Sequence, residues 1–214
     1  MRIQRLFILL VLILFTACGT ATPVPAQPPP PTETPLPTAI TALVSTPLDD
    51  FETPETAWKA GTTPDFTDSS ALSVALTSEH ASQGKQALQL NFEQDDKPKA
   101  IFFLNKQLDL GQVRSLQLDV YNPGTVGGVG IAMTTGSDSV WYESDSNPVA
   151  KGNTVTLNFD LTAGTYKTAS TNWEFRASIA DLKDVHRLAI IIYPAVSGSA
   201  YVDAIRLNSA PATP

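Results

Sequence analysis

The sequence predicts an all-β fold, with antiparallel strands packed as a two-sheet sandwich over residues 48–208, and three observations carry that prediction. Apolar residues recur with a period of two in run after run. Gly, Pro, Asn and Asp separate the runs. A helical spacing shows only as a turn or two near residues 179–184. Period two sends alternate side chains to opposite faces of a pleated strand, as a half-buried sheet requires. Leu72, Val74 and Leu76 alternate with Ser73, Ala75 and Thr77; Leu88, Leu90 and Phe92 with Gln89 and Asn91; Leu116, Leu118 and Val120 with Gln117 and Asp119. Val129, Ile131 and Met133 repeat the pattern, as do Val155, Leu157 and Phe159 against Thr154, Thr156, Asn158 and Asp160. Asn122-Pro123-Gly124 and Lys151-Gly152-Asn153 are turn punctuation. Residues 188–193, Leu-Ala-Ile-Ile-Ile-Tyr, are apolar on both faces and predict a central strand covered on both sides. A hydrophobic content of 43% is enough for one ordinary core. Many short strands with few helices indicate a jelly roll.

The elements before the sandwich read differently. Residues 1–17 form a signal peptide: Arg2 and Arg5 supply a positive start, residues 6–17 an apolar stretch too short to span a bilayer comfortably, and small residues precede Cys18. Cys18 is the only cysteine. Leu14-Phe15-Thr16-Ala17-Cys18-Gly19 resembles a bacterial lipoprotein signal. That resemblance implies acylation of the Cys18 thiol by palmitate-like chains and removal of the preceding peptide. An ordinary signal peptide followed by an incidental cysteine is the alternative. Cleavage removes two of the 14 basic residues and no acid, leaving 12 against 21 and a formal charge of −9. Such a balance argues against nucleic acid, whose binding needs basic stripes, and against docking on anionic lipid. Membrane attachment is then through the lipid anchor alone, which needs two or more chains to be stable. The expected location is outside the cytoplasm, on the cell membrane or outer envelope.

Residues 18–47 hold the lipidated Cys18 and a Pro/Thr-rich linker. Nine of the 17 prolines lie in residues 20–47, with seven Thr and Glu33 as the one charge. This composition has too little apolar surface to offset ordering entropy and favours extended polyproline II. At about 3.1 Å per residue such a tether reaches up to ~90 Å. Residues 209–214 are a disordered tail of similar composition.

Three local patterns carry a family likeness. The domain opens with Leu48-Asp49-Asp50-Phe51-Glu52, followed by Trp58. It continues through His80-Ala81-Ser82-Gln83-Gly84-Lys85-Gln86-Ala87-Leu88 and closes on Ala200-Tyr201-Val202-Asp203-Ala204-Ile205-Arg206-Leu207. In that order they resemble the galactose-binding-like jelly rolls that include many carbohydrate-binding modules of glycoside hydrolases. The resemblance implies a structural calcium ion held by Glu52, Asp203 and backbone carbonyls of the Gly84–Lys85 segment, since calcium takes six to eight oxygens in flexible geometry. One departure is Ala204, where the family often has Asn or Asp. The plain alternative is that Glu52 and Asp203 are ordinary strand-end acids.

A glycan site needs exposed aromatic rings beside polar groups, because sugar C–H faces lie on rings while amides, carboxylates and Arg take the hydroxyls. Trp141-Tyr142-Glu143 fits, since adjacent strand residues face opposite ways and one ring must leave the core. Asn172-Trp173-Glu174-Phe175-Arg176 is a second cluster, with Tyr166 in the loop before it. The candidate ligand-binding residues are therefore Trp141, Tyr142, Glu143, Asn172, Trp173 and Arg176, with Trp58 assigned to the core. Catalysis finds little support. A zinc site of His and Cys ligands alone cannot be assembled from two His and a cysteine at the anchor, no Gly-x-Ser-x-Gly elbow is present, and the glycine-rich residues 124–130 lack a following helix. The expectation is a surface-anchored, non-catalytic binder of a polysaccharide or other glycan. An envelope adaptor that binds a protein partner is the alternative, and a small glycoside or ester hydrolase a third.

Overall fold

The period-two runs become eleven strands in the computed structural model, which describes residues 42–62 and 64–211. Cys18, the expected signal peptide, nearly all of the expected tether and the last three residues lie outside the described residues. The strands are β1 (Val44–Asp49), β2 (Lys59–Ala60), β3 (Ala71–Thr77), β4 (Ala87–Phe92), β5 (Ala100–Leu108) and β6 (Val113–Tyr121). They continue with β7 (Val126–Thr135), β8 (Val140–Glu143), β9 (Thr154–Asp160), β10 (Val185–Pro194) and β11 (Gly198–Ser209). All strand pairs are antiparallel. One sheet runs β3-β4-β11-β6-β9, with β1 also lying against β11; the other runs β2-β5-β10-β7-β8. The chain is an all-β sandwich of two antiparallel sheets, as the alternation predicts.

The two sheets bury one core between them. Leu88, Leu90, Phe92, Leu116, Leu118, Val120, Ile131, Met133 and Ile190 are at most 1% exposed. Each such side chain contributes about 1.5–3 kcal/mol by leaving water. Trp58 is fully buried among them, its Nε1 donating to Asp49 Oδ2 at 3.0 Å. The doubly apolar run at 188–193 is the central strand of the five-stranded sheet, β10. Its Leu188, Ile190 and Ile192 face the main core, while Ala189, Ile191 and Tyr193 join a smaller cluster on the outer face.

Three expectations are corrected. The tether ends earlier than residue 47, because Val44 to Pro47 pair with Ser209 to Arg206. Leu72 is 52% exposed, not inside: the register slips between Ala71 and Ser73, so Ala71 takes the buried place. Residues 179–184 form no helix. Asp181 adopts φ 53 and a turn closes from the Asp184 N–H to the Asp181 carbonyl at 2.8 Å. Six residues gain too few helical bonds to offset nucleation, and the Leu182 carbonyl instead accepts from the Leu110 N–H.

Candidate functional site

Strand register builds a cleft on the outer face of the five-stranded sheet. Asn105 on β5 pairs with Arg187 on β10, Arg187 with Thr134 on β7, and Thr134 with Trp141 on β8. Directly paired residues share a face, so these four form one row across the sheet. The next outward row is Phe103, Ala189, Ala132 and Glu143. Ala132 and Ala189 at its middle are fully buried and pack with Phe66, Ile101 and Phe103 as the floor beneath that first row. Phe66, delivered by the short 3-10 turn Pro64–Phe66, stacks on Phe103 at 5.1 Å and meets Trp141 edge-on at 6.0 Å. A cleft of about 460 Å³ lies here, lined by the first row and Phe66 together with Trp173, Lys99, Asp65, Asp68, Ile101, Ser139 and His186.

Glu143 organises one wall from beneath. Its side chain is fully buried, with Oε2 accepting from Lys99 Nζ at 2.8 Å and from Trp141 Nε1 at 3.3 Å. Oε1 accepts from Lys167 Nζ at 2.8 Å and from the Tyr193 hydroxyl at 3.0 Å. Burial alone would raise its pKa, but the hydrogen bonds and charges of Lys167 and Lys99 outweigh burial and hold it below the usual carboxylate range. Lys99 is the mirror case: burial opposes its charge, yet Glu143 and Asp68, the latter at 3.0 Å, keep its pKa raised. Burial and the adjacent Glu143 carboxylate push the Tyr193 phenol upward, so it stays a donor.

Trp173 reaches the cleft from the loop between β9 and β10. Thr171 Oγ1 donates within this loop and accepts from the Thr168 N–H, and the Trp173 N–H returns to the Thr168 carbonyl at 3.1 Å. Asn172 and Trp173 both sit in the left-handed region, at φ 53 and 62. That conformation costs an L residue about 1–2 kcal/mol. It leaves the indole 53% exposed beside the cleft. Strain of this kind, held by surrounding bonds, concentrates at ligand clamps.

Of the residues singled out from sequence, Trp141 and Trp173 meet in the cleft and Glu143 lies under it. Tyr142 does not reach it: its ring is 7% exposed and packs in the main core, because Trp141 takes the outer face. Asn172 is exposed but does not line the cleft, its left-handed backbone being the feature that turns the loop. Arg176 is also exposed and pairs with Glu174 at 3.0 Å, away from the cleft. Phe66, Asp68, Lys99, Asn105 and Arg187 escaped sequence reasoning. The one signal for the last two is position, since each adjoins an apolar strand run and breaks it with a polar group.

The residues implied for calcium do not fit a cation. Glu52 Oε1 accepts the backbone N–H groups of Lys85 and Gln86 at 2.7 and 2.9 Å. Asp203 Oδ2 accepts those of Ser82 and Gln83 at 2.7 and 2.8 Å, and its Oδ1 that of Ala204. The turn offers these carboxylates amide donors where calcium requires oxygens. Among the described residues, no three His, Cys, Asp or Glu side chains gather as metal ligands. Glu52 and Asp203 instead fasten the turn at residues 82–86 to the first and last strands.

Comparison with known proteins agrees with this architecture. The chain is similar to the family 11 carbohydrate-binding module of a cellulosomal cellulase of Clostridium thermocellum, with a TM-score of 0.59 at 13% identity over 80% of this chain and 98% of that one. A family 11 module of the same organism, in complex with a β-1,3-1,4-mixed-linked tetrasaccharide, gives 0.59 at 14% identity, over 79% and 98%. An exo-β-agarase gives 0.56 at 13% identity, over 78% of this chain and 25% of that one. No curated protein matches the chain in sequence. The family described as mannanase, galactose-binding domain-like matches residues 49–203. That match spans most of the chain, and the chain therefore belongs to that mannanase galactose-binding-like domain family.

Proposed function

We propose that the protein is a non-catalytic glycan-binding module, held at the cell surface by the lipid on Cys18 and extended by its proline-rich tether. The observation that carries the reading is the cleft: two partly exposed indoles, Trp141 and Trp173, beside Asn105, Asp65, Asp68, His186 and Arg187. Rings stack on sugar C–H faces while the polar groups bond hydroxyls. Fold and family support it, since the similar solved structures include carbohydrate-binding modules, one holding a mixed-linked β-glucan fragment. The family description points to β-mannan as the first polymer to try, and the tetrasaccharide to mixed-linkage β-glucan as the second.

Glu143 is not suited to be a general acid of glycoside hydrolysis, which needs a raised pKa, because Lys167 and Lys99 hold it below the usual carboxylate range beneath the surface. Affinity electrophoresis of the full chain, made with Cys18→Ser so that it stays unacylated, tests binding. Retardation by one of these polymers, lost in Trp141→Ala and Trp173→Ala, is expected. No retardation by any polysaccharide would turn the reading toward a protein-binding adaptor.

A further inference from the structure

We propose that the cleft selects an acidic sugar unit, one bearing a carboxylate or a sulfate ester, and that Arg187 reads it. The proposal rests on the glycan-binding reading above and names the ligand class of that site. Arg187 stands in the middle of the polar row, its guanidinium carbon 5.1 Å from the ring of Phe103 and 5.3 Å from that of Phe66. Its Nε donates to Asn105 Oδ1 at 2.8 Å. These contacts fix one face and the inner edge of the group. Its terminal nitrogens make no ion pair among the described residues.

The contrast with Lys99 decides the matter. Lys99 lines the same cleft but lies between Glu143 and Asp68, at 2.8 and 3.0 Å, so its charge is already met. Asp65 and Asp68 also line the cleft, yet neither pairs with Arg187. In a chain with 21 acidic and 14 basic residues, a guanidinium lining a cleft without a carboxylate partner among the described residues is an open valence. A planar fork matches the paired oxygens of a carboxylate or sulfate bidentately. Its stacking and its bond to Asn105 have already removed much of the rotamer freedom that binding would cost.

The test is calorimetric titration of the full chain (Cys18→Ser) at about 0.15 M salt, where screening beyond ~8 Å suppresses repulsion from the net negative domain. The ligands are a β-1,4-linked uronan, its carboxyl-reduced neutral form, a sulfated β-galactan, its desulfated form, and β-mannan. The expected result is that one acidic polymer binds roughly tenfold or more tightly than its own neutral form, the scale of a charged hydrogen-bonded pair. Which polymer does so separates carboxylate from sulfate. Arg187→Lys should shrink that ratio and Arg187→Gln should bring it near one. Folding of both variants is checked by circular dichroism, and the wild-type ratio stands without them. Binding of β-mannan with no preference for either acidic form would overturn this proposal and leave the glycan-binding reading intact. Binding of none of the five would overturn this proposal, and the glycan-binding reading would then stand or fall on the electrophoresis with mixed-linkage β-glucan.

Discussion

Glu143 is the residue whose loss the structure predicts most fully. Replacing it with Ala removes a buried carboxylate that meets Lys99 and Lys167 at 2.8 Å each, and the Tyr193 hydroxyl and Trp141 Nε1 at 3.0 and 3.3 Å. Breaking a buried ion pair from one side costs about 3–5 kcal/mol, because the other charge stays behind. The two lysines retain 13% and 21% side-chain exposure and can partly rehydrate, which lowers the figure to about 2–4 kcal/mol. For a domain of this size that is a fall of roughly 5–12 °C in Tm. The pH dependence has a definite sign. Glu143 has a folded pKa below its ordinary 4.5, so its stabilisation is present above 4.5 and lost as pH falls through the folded value. Lys99 has a folded pKa above 10.5, so its share is present below 10.5 and lost as pH rises through the folded value. The gap in Tm between wild type and Glu143→Gln should therefore hold at neutral pH and close in acid. Thermal unfolding followed by circular dichroism measures both. A Glu143→Ala shift under ~2 °C, or a Glu143→Gln gap that widens in acid, would refute the hub and its electrostatics.

Further outcomes follow from the loops and the turn. Trp173→Gly relieves a left-handed backbone, so stability should hold or rise by about 1 kcal/mol; glycan affinity should fall about tenfold, and calorimetry with denaturant titration reads the two effects separately. Asp203→Ala strips a carboxylate that is 2% exposed from the amides of Ser82, Gln83 and Ala204. It should cost about 2–4 kcal/mol in chemical unfolding, since buried donors lose a charged partner. Because the same residues do not fit a cation, a chelator should leave the wild-type Tm unchanged; a drop would restore calcium as a partner of this turn.

How far the sequence could be read follows from what each feature depends on. Alternation such as Leu116-Leu118-Val120 is local, and it revealed strands, faces and the double-sided centre at residues 188–193 without any tertiary knowledge. The register slip at Ala71 was invisible because one extra residue leaves the alternating composition intact while turning Leu72 outward. Trp141 was legible as an outward ring by the parity of strand positions, although parity alone did not choose between it and Tyr142. The role of Glu143 was misjudged in kind. Its sequence neighbours suggest a hydroxyl acceptor at the surface, and only Lys99 and Lys167, 44 and 24 positions away, show it as a buried anchor. Asn105 and Arg187 lie 82 positions apart, so their union in one row belongs to strand order, which no local pattern encodes.

The most direct test of the account is a nitrogen-15 chemical-shift titration of the full chain with a β-linked oligosaccharide that it retains. The predicted result is a set of shifts confined to the indole N–H groups of Trp141 and Trp173 and to the row of Asn105, Arg187 and Thr134. Shifts centred on the opposite sheet, around Tyr121, Tyr201 and His80, would contradict it and move the binding face to the other side of the sandwich.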